Sequence, residues 1–255
     1  MRTSWGSATD RGTVREVNED SLLTFPPVFL VADGMGGYDA GDLASRIAVE
    51  EFAQLAGAVT VSVDDVHACF TRAGARMRAE FTGGRRGGTT VAGVVLTEID
   101  REPYWLVFNV GDSRVYRLSD AGLEQVSVDH SVAQELAEAG VIGPEEVATH
   151  PDRHVLTRAL GTGAAPEPDY WLLPVGEADR LLVCTDGLVR DLSEDHIARV
   201  LEEDEGPQDL ADRLVADAVA HGGRDNISAV VVDVVQVPAL VGESGGPTTP
   251  RGLLR

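Results

Sequence analysis

The chain has 255 residues, 43% of them hydrophobic and 25% charged, enough apolar chain for one compact domain with a sizeable core. Lys+Arg 21 against Asp+Glu 42 leaves a net charge of -21, which excludes a general affinity for nucleic acid or for an anionic membrane surface. Lysine is absent altogether, so every basic side chain is arginine, and chemistry built on a Walker, Schiff-base or kinase lysine is excluded as well.

The first residues lack the basic-then-apolar order of a signal peptide, and no run approaches the ~20 apolar residues of a membrane span, so a soluble cytoplasmic protein is expected. Short apolar runs rich in aromatic or β-branched residues predict strands at 28–32, 104–110, 181–185 and 229–235. Leu43, Ile47 and Leu55 suggest a helix after the glycine-rich turn near 34–37. Val66, Phe70, Ala73, Met77 and Phe81 share one helical face. Arg85 and Arg86, between Gly83 and Gly88, read as a solvated loop before a strand at 89–91. The alternating segment 114–118 follows 104–110 across Gly111-Asp112-Ser113, which predicts two strands meeting at a turn with Asp112 at its tip. A helical stretch is expected at 132–139, and another carries Ile197, Val200 and Leu201. The last helix is opened by Pro207 and closed by Gly222-Gly223. Strands and helices do not alternate strictly, so the class is α+β with mostly antiparallel strands. The Gly, Pro, Ser and Thr-rich stretch 238–255 is expected to be a disordered tail. Cys69 and Cys184 lie in apolar stretches without CxxC spacing, as buried thiols of a reducing compartment do.

Apolar strands run into a carboxylate at Asp33-Gly34 and Asp186-Gly187, and in weaker form at Gly111-Asp112. Any one Asp-Gly is ordinary turn punctuation. Repeated placement of Asp at the end of a buried strand is costly unless cations or hydrogen bonds compensate it. Carboxylates with nearby carbonyls suit hard divalent cations rather than zinc. Two further polar clusters, Arg15 to Asp20 and Gly223 to Ser228, accompany them.

These residues resemble the type 2C metal-dependent protein serine/threonine phosphatases, the PPM family, in their short bacterial form. The motifs run in that family's order over about residues 4–235: Gly12-Thr13-Val14-Arg15 with Asn18-Glu19-Asp20, Asp33-Gly34-Met35-Gly36-Gly37, Gly88-Thr89-Thr90, Gly111-Asp112-Ser113-Arg114, Leu156 to Gly161, Thr185-Asp186-Gly187-Leu188, and Arg224-Asp225-Asn226-Ile227-Ser228. The resemblance implies a four-layer sandwich of two antiparallel sheets flanked by helices. It makes 1–237 a single catalytic domain whose flap spans about 129–160.

It also implies two Mn²⁺ or Mg²⁺ ions whose shared hydroxide attacks phosphoserine or phosphothreonine. Asp33 would bridge both ions, Asp186 and Asp225 would hold one, and the Gly34 carbonyl the other. Glu19 and Asp20 would act through metal-bound waters, Arg15 would grip the phosphate, and Asn226 would support the site. Asp112 with Asp186 would hold a weaker third ion. Implied partners are phosphorylated proteins, including serine/threonine kinases or their substrates, with the chain a monomer. The alternatives are a catalytically silent phosphoprotein-binding module, against which the intact acidic set argues, and a small-molecule phosphatase.

The sequence departs from the family pattern in two places. Met35 stands where some members carry a leaving-group histidine, and Arg190 stands where many carry a carboxylate. Either Asp191 substitutes for that carboxylate after a small shift, or Arg190 weakens the third ion by repulsion. His150 and His154 have HxxxH spacing, but Pro151 and the loop setting argue against a helical zinc pair.

Overall fold

A computed structural model describes residues 2–36, 40–84, 86–163 and 167–236; the tail at 238–255, Gly37 and Arg85 lie outside them. In chain order the elements are β1 (Arg2–Asp10), β2 (Asp20–Phe25), β3 (Val28–Gly36), α1 (Ala40–Phe52), α2 (Val63–Glu80), β4 (Gly87–Thr89), β5 (Val91–Ile99), β6 (Glu102–Val110), β7 (Arg114–Ser119), β8 (Gly122–Gln125), α3 (Val132–Glu138), β9 (Asp169–Pro174), β10 (Arg180–Cys184), α4 (Asp186–Asp191), α5 (Glu194–Leu201), α6 (Pro207–His221) and β11 (Ile227–Gln236).

Strand side chains point alternately to opposite faces, and here both faces of the central strands are apolar. In β3, Phe29 and Val31 face one apolar layer, while Val28, Leu30 and Ala32 face another. In β11, Val230 and Val232 join Phe29 and Val31, while Ala229 and Val231 turn the other way. The shared layer is therefore the interior of a sandwich, and the two outer layers need helices to cover them. The pattern of Val66, Phe70, Ala73 and Met77 supplies one cover, with α1 packed beside α2 over β3. Leu210, Leu214 and Ala218 of α6 supply the other, with Ile197, Val200 and Leu201 of α5.

One sheet runs β1-β11-β10-β7-β8 and the other β2-β3-β5-β6-β9, with β4 paired to β3, and every pairing among the described residues is antiparallel. This is the four-layer α+β architecture expected. None of the described helices is long and apolar enough to cross a membrane.

Local expectations needed correction. Strands β6 and β7 do meet at a turn carrying Asp112, but they are not a hairpin: each belongs to a different sheet, so the chain crosses the sandwich there. Leu55 falls in a short 3-10 turn after α1, and Phe81 caps α2 rather than lying inside it. Asp33-Gly34 is no turn, because β3 continues through Gly36. A Cβ on Gly34 would stand 2.2 Å from the carbonyl oxygen of Gly41 and 2.6 Å from that of Glu19, so glycine serves close backbone approach there. Gly187 is likewise inside α4, where a Cβ would meet the Asn226 carbonyl oxygen at 2.1 Å.

Candidate metal centre

Asp20 opens β2 and lies opposite Asp33 in the antiparallel register, so two carboxylates face each other across neighbouring strands. Like charges so placed are destabilising unless a positive group joins them. From the other sheet, Asp186 begins α4 directly after β10, and Asp225 lies in the loop just before β11. Asp112 projects from the β6–β7 crossing. Arg15, Glu19, Asp33, Gly34, Asp112, Asp186, Asp225 and Asn226 line one cleft of about 270 Å³, joined by Met35, Thr90, His154, Leu156 and Arg190. The sequence-predicted set is thus brought together, with Asp20 set behind Asp33. A larger groove of about 560 Å³ lies over the start of α2 and β9, lined mostly by apolar side chains and remote from these aspartates.

The second sheet fixes Asp20 from behind. Its Oδ2 accepts hydrogen bonds from Thr185 Oγ1 at 2.9 Å and Ser228 Oγ at 2.7 Å. Its Oδ1 is buried without a partner, and so is Oδ1 of Asp186. Asp33 is held by its backbone: its N–H donates to Thr90 Oγ1 at 3.1 Å, and its carbonyl accepts from Thr90 N and Thr89 Oγ1, both at 2.9 Å. Its carboxylate is left for the cleft.

Asn226 turns away from chemistry and fastens the 11–19 loop. Its Oδ1 accepts from Glu19 N at 2.9 Å, and its Nδ2 donates to the carbonyls of Arg11 and Val17 at 2.9 and 3.0 Å. This anchor carries Arg15 and Glu19 to the cleft.

The electrostatics are those of crowded acids. Burial first, then Asp20, Asp186, Asp112 and Asp225, push the Asp33 carboxyl well above the usual range. Burial does the same to Asp186, helped chiefly by Asp112. Asp20 is pushed up to about 7 by burial, against the opposing bonds from Ser228 and Thr185, and Asp112 to about 6 by burial and Asp129.

Guanidinium groups answer part of this charge. Arg15 forks onto Asp225, Nε to Oδ1 at 2.8 Å and Nη2 to Oδ2 at 2.9 Å. Arg190 pairs with Asp186 and reaches Asp225 Oδ2 from Nη1 at 2.7 Å.

Several supports had no assigned role in the sequence reading. Thr185 and Ser228 stand inside the family motifs, yet a hydroxyl beside an aspartate gives no sign of which carboxylate it serves. Buried His130 accepts from Gly111 N at Nδ1, 3.1 Å, and meets Asp169 Oδ2 from Nε2 at 3.1 Å. It thereby ties the Asp112 turn to the 129–160 segment. Arg114 forks onto Asp129 at the base of that segment, with Nη2 to Oδ2 at 2.7 Å.

The two histidines of the HxxxH spacing separate. His150 Nδ1 accepts from Asp152 N within its own turn, while His154 lines the cleft. Ligand atoms of His154, Asp112 and Asp186 lie within 4.8 Å of one another. Burial, followed by Arg190, Arg153 and Arg114, holds the His154 imidazole down at about 4.

A family model described as Protein phosphatase 2C matches residues 16–215, more than half of the chain. The chain belongs to the protein phosphatase 2C family. The serine/threonine phosphatase stp of Listeria monocytogenes is 31% identical over 239 residues, covering 88% of this chain and 93% of that one. The structure of the PPM Ser-Thr phosphatase MsPP from Mycobacterium smegmatis, in complex with cacodylate, superposes with a TM-score of 0.82 at 38% identity, covering 91% of this chain and 98% of that one. The catalytic domain of the serine/threonine phosphatase PstP, in complex with two manganese ions, gives a TM-score of 0.81 at 30% identity over 92% of this chain and 99% of its own. The family is one of metal-dependent phosphatases, and protein phosphatases act on phosphorylated proteins.

Proposed function

We propose that this chain hydrolyses phosphoserine and phosphothreonine in proteins, with two Mn²⁺ or Mg²⁺ ions at the acidic cleft activating the attacking water and neutralising the phosphate. The observation that carries this is the convergence of five aspartates on one end of the sandwich, with Asp20 Oδ1 and Asp186 Oδ1 buried and unpaired. An all-oxygen donor set of this kind fits a hard divalent cation and offers nothing to a softer one except His154. Asp33, Asp186, Asp225 and the Gly34 carbonyl would hold the ions, with Glu19 and Asp20 acting through water. Phosphorylated proteins, including serine/threonine kinases or their substrates, are the partner class, and the chain works as a monomer. Gly111, beside Asp112, is bonded to His130 and relates the cleft to the 129–160 segment, where a flap would meet the substrate protein.

Arg15 binds and orients. Its fork already fits a carboxylate with two parallel bonds, and the same planar geometry fits two oxygens of a phosphate. Arg15→Ala is expected to lower kcat/KM on a phosphothreonine peptide by about 10–100-fold, mainly through KM, since a charge-assisted bond contributes about 1.5–3 kcal/mol. Arg15→Lys keeps the charge without the fork and should fall between. A wild-type KM in Arg15→Ala would show that another group grips the phosphate.

The function itself is tested by comparing that peptide with a sugar phosphate, first in chelator and then with added Mn²⁺ or Mg²⁺. Metal-restored turnover with preference for the peptide is expected. Turnover undiminished by chelator, or a preference for the sugar phosphate, would overturn it.

A further inference from the structure

Asp186 and Arg190 stand one turn apart on α4, so helix geometry alone puts a guanidinium beside this carboxylate. The other nitrogen of that guanidinium reaches Asp225, which comes from the loop before β11. One cation thus spans two acids of the centre that no short loop connects. Arginine stays protonated at any working pH, so the charge is fixed.

The neighbouring Asp191 does not compensate. Its Oδ2 accepts from Arg224 N at 3.3 Å, and its carboxylate packs on Gly222, away from the cleft. Of the two options left open by the sequence, the structure therefore leaves Arg190 at the site and takes Asp191 out. On the far side, Asp112, His154 and Asp186 have the spacing of a metal-ligand group, but any ion there would share Asp186 with Arg190.

We propose that Arg190 is a built-in cation of this centre, its single positive charge shared by Asp186 and Asp225 and set against a third divalent ion beside Asp186, so that the chain takes two ions and not three. The inference rests on the two-ion function proposed above. It makes Arg190 a positioning residue that acts through carboxylates, and it assigns this chain an ion stoichiometry fixed by its own side chain.

The test is a calorimetric Mn²⁺ titration of the full chain, with bound Mn²⁺ counted independently by its paramagnetic signal, for wild type, Arg190→Ala and Arg190→Gln. Wild type is expected to bind two ions. Both variants should bind a third, and adding Asp112→Asn to Arg190→Ala should abolish it. Arg190→Gln keeps the side-chain length and guards against a packing defect in the alanine variant. A third ion in wild type, or isotherms unchanged in both variants, would overturn the inference while leaving the two-ion centre in place. Absence of Mn²⁺ binding in all the proteins would remove both.

Discussion

Asp33→Asn is expected to lower kcat on a phosphothreonine peptide by about three orders of magnitude, because it removes a carboxylate that would hold the proposed ions and with it several kcal/mol of transition-state stabilisation. The same variant, in chelator, should unfold at a temperature no lower than wild type. Asp33 faces Asp20 across β2 and β3, and Asp186, Asp112 and Asp225 add to the repulsion that, after burial, raises its pKa. A neutral amide of nearly the same shape relieves that repulsion. The backbone bonds from Thr89 and Thr90 do not involve the side chain of Asp33, so its position is kept. A kcat within tenfold of wild type would remove Asp33 from the centre. A large fall in melting temperature would instead mean that the carboxylate is structural.

Asp33, Asp186 and, more weakly, Asp112 were legible because each stands where an apolar strand meets glycine, a pattern that is costly without a compensating cation, whereas Glu19, Asp20 and Asp225 were singled out by the family resemblance. Their supports were not. Thr185 and Ser228 both serve Asp20, which lies 165 and 208 residues away in sequence, and nothing in local spacing records such a pairing. Gly34 and Gly187 read as turn residues because Asp-Gly usually is one; here they admit the carbonyls of Gly41 and Asn226. The strands and the α+β class were readable from the apolar runs, while the four layers came from the family resemblance. The β6–β7 crossing was not, because a short turn between two strands looks the same whether they pair or part. The direction of Arg190 against Asp191 needed α4, a helix too short and polar to announce itself.

Mn²⁺ should stabilise the protein in a strongly pH-dependent way. Asp20 and Asp112 are raised to about 7 and about 6 in the folded chain, and Asp33 and Asp186 also lie above the usual carboxylate range. In the unfolded chain such groups ionise near pH 4. Between about pH 4 and 7 the metal-free fold therefore holds more protons than the unfolded chain. The stability linked to these groups is fully present below that window and is lost as pH rises through the folded values.

Glu51, Asp169 and Asp217 run the other way. Their pKa values are lowered by hydrogen bonds that outweigh burial, to Arg76 and Arg72, to His130 and Arg158, and to His196 and Arg213 respectively. Melting temperature against pH alone therefore mixes opposite trends, and the difference with and without Mn²⁺ isolates the centre. The ion takes carboxylates as anions, so protons compete with it. At about a hundred times its Kd near pH 7.5, Mn²⁺ should stabilise by about 2.7 kcal/mol, raising Tm by roughly 5–10 °C for a chain of this size. The same concentration near pH 5 should raise it by less than about 2 °C, because the acids then hold their protons. Equal shifts at the two pH values would mean that the ion binds groups already ionised at pH 5, outside the Asp20, Asp33, Asp112 and Asp186 cluster.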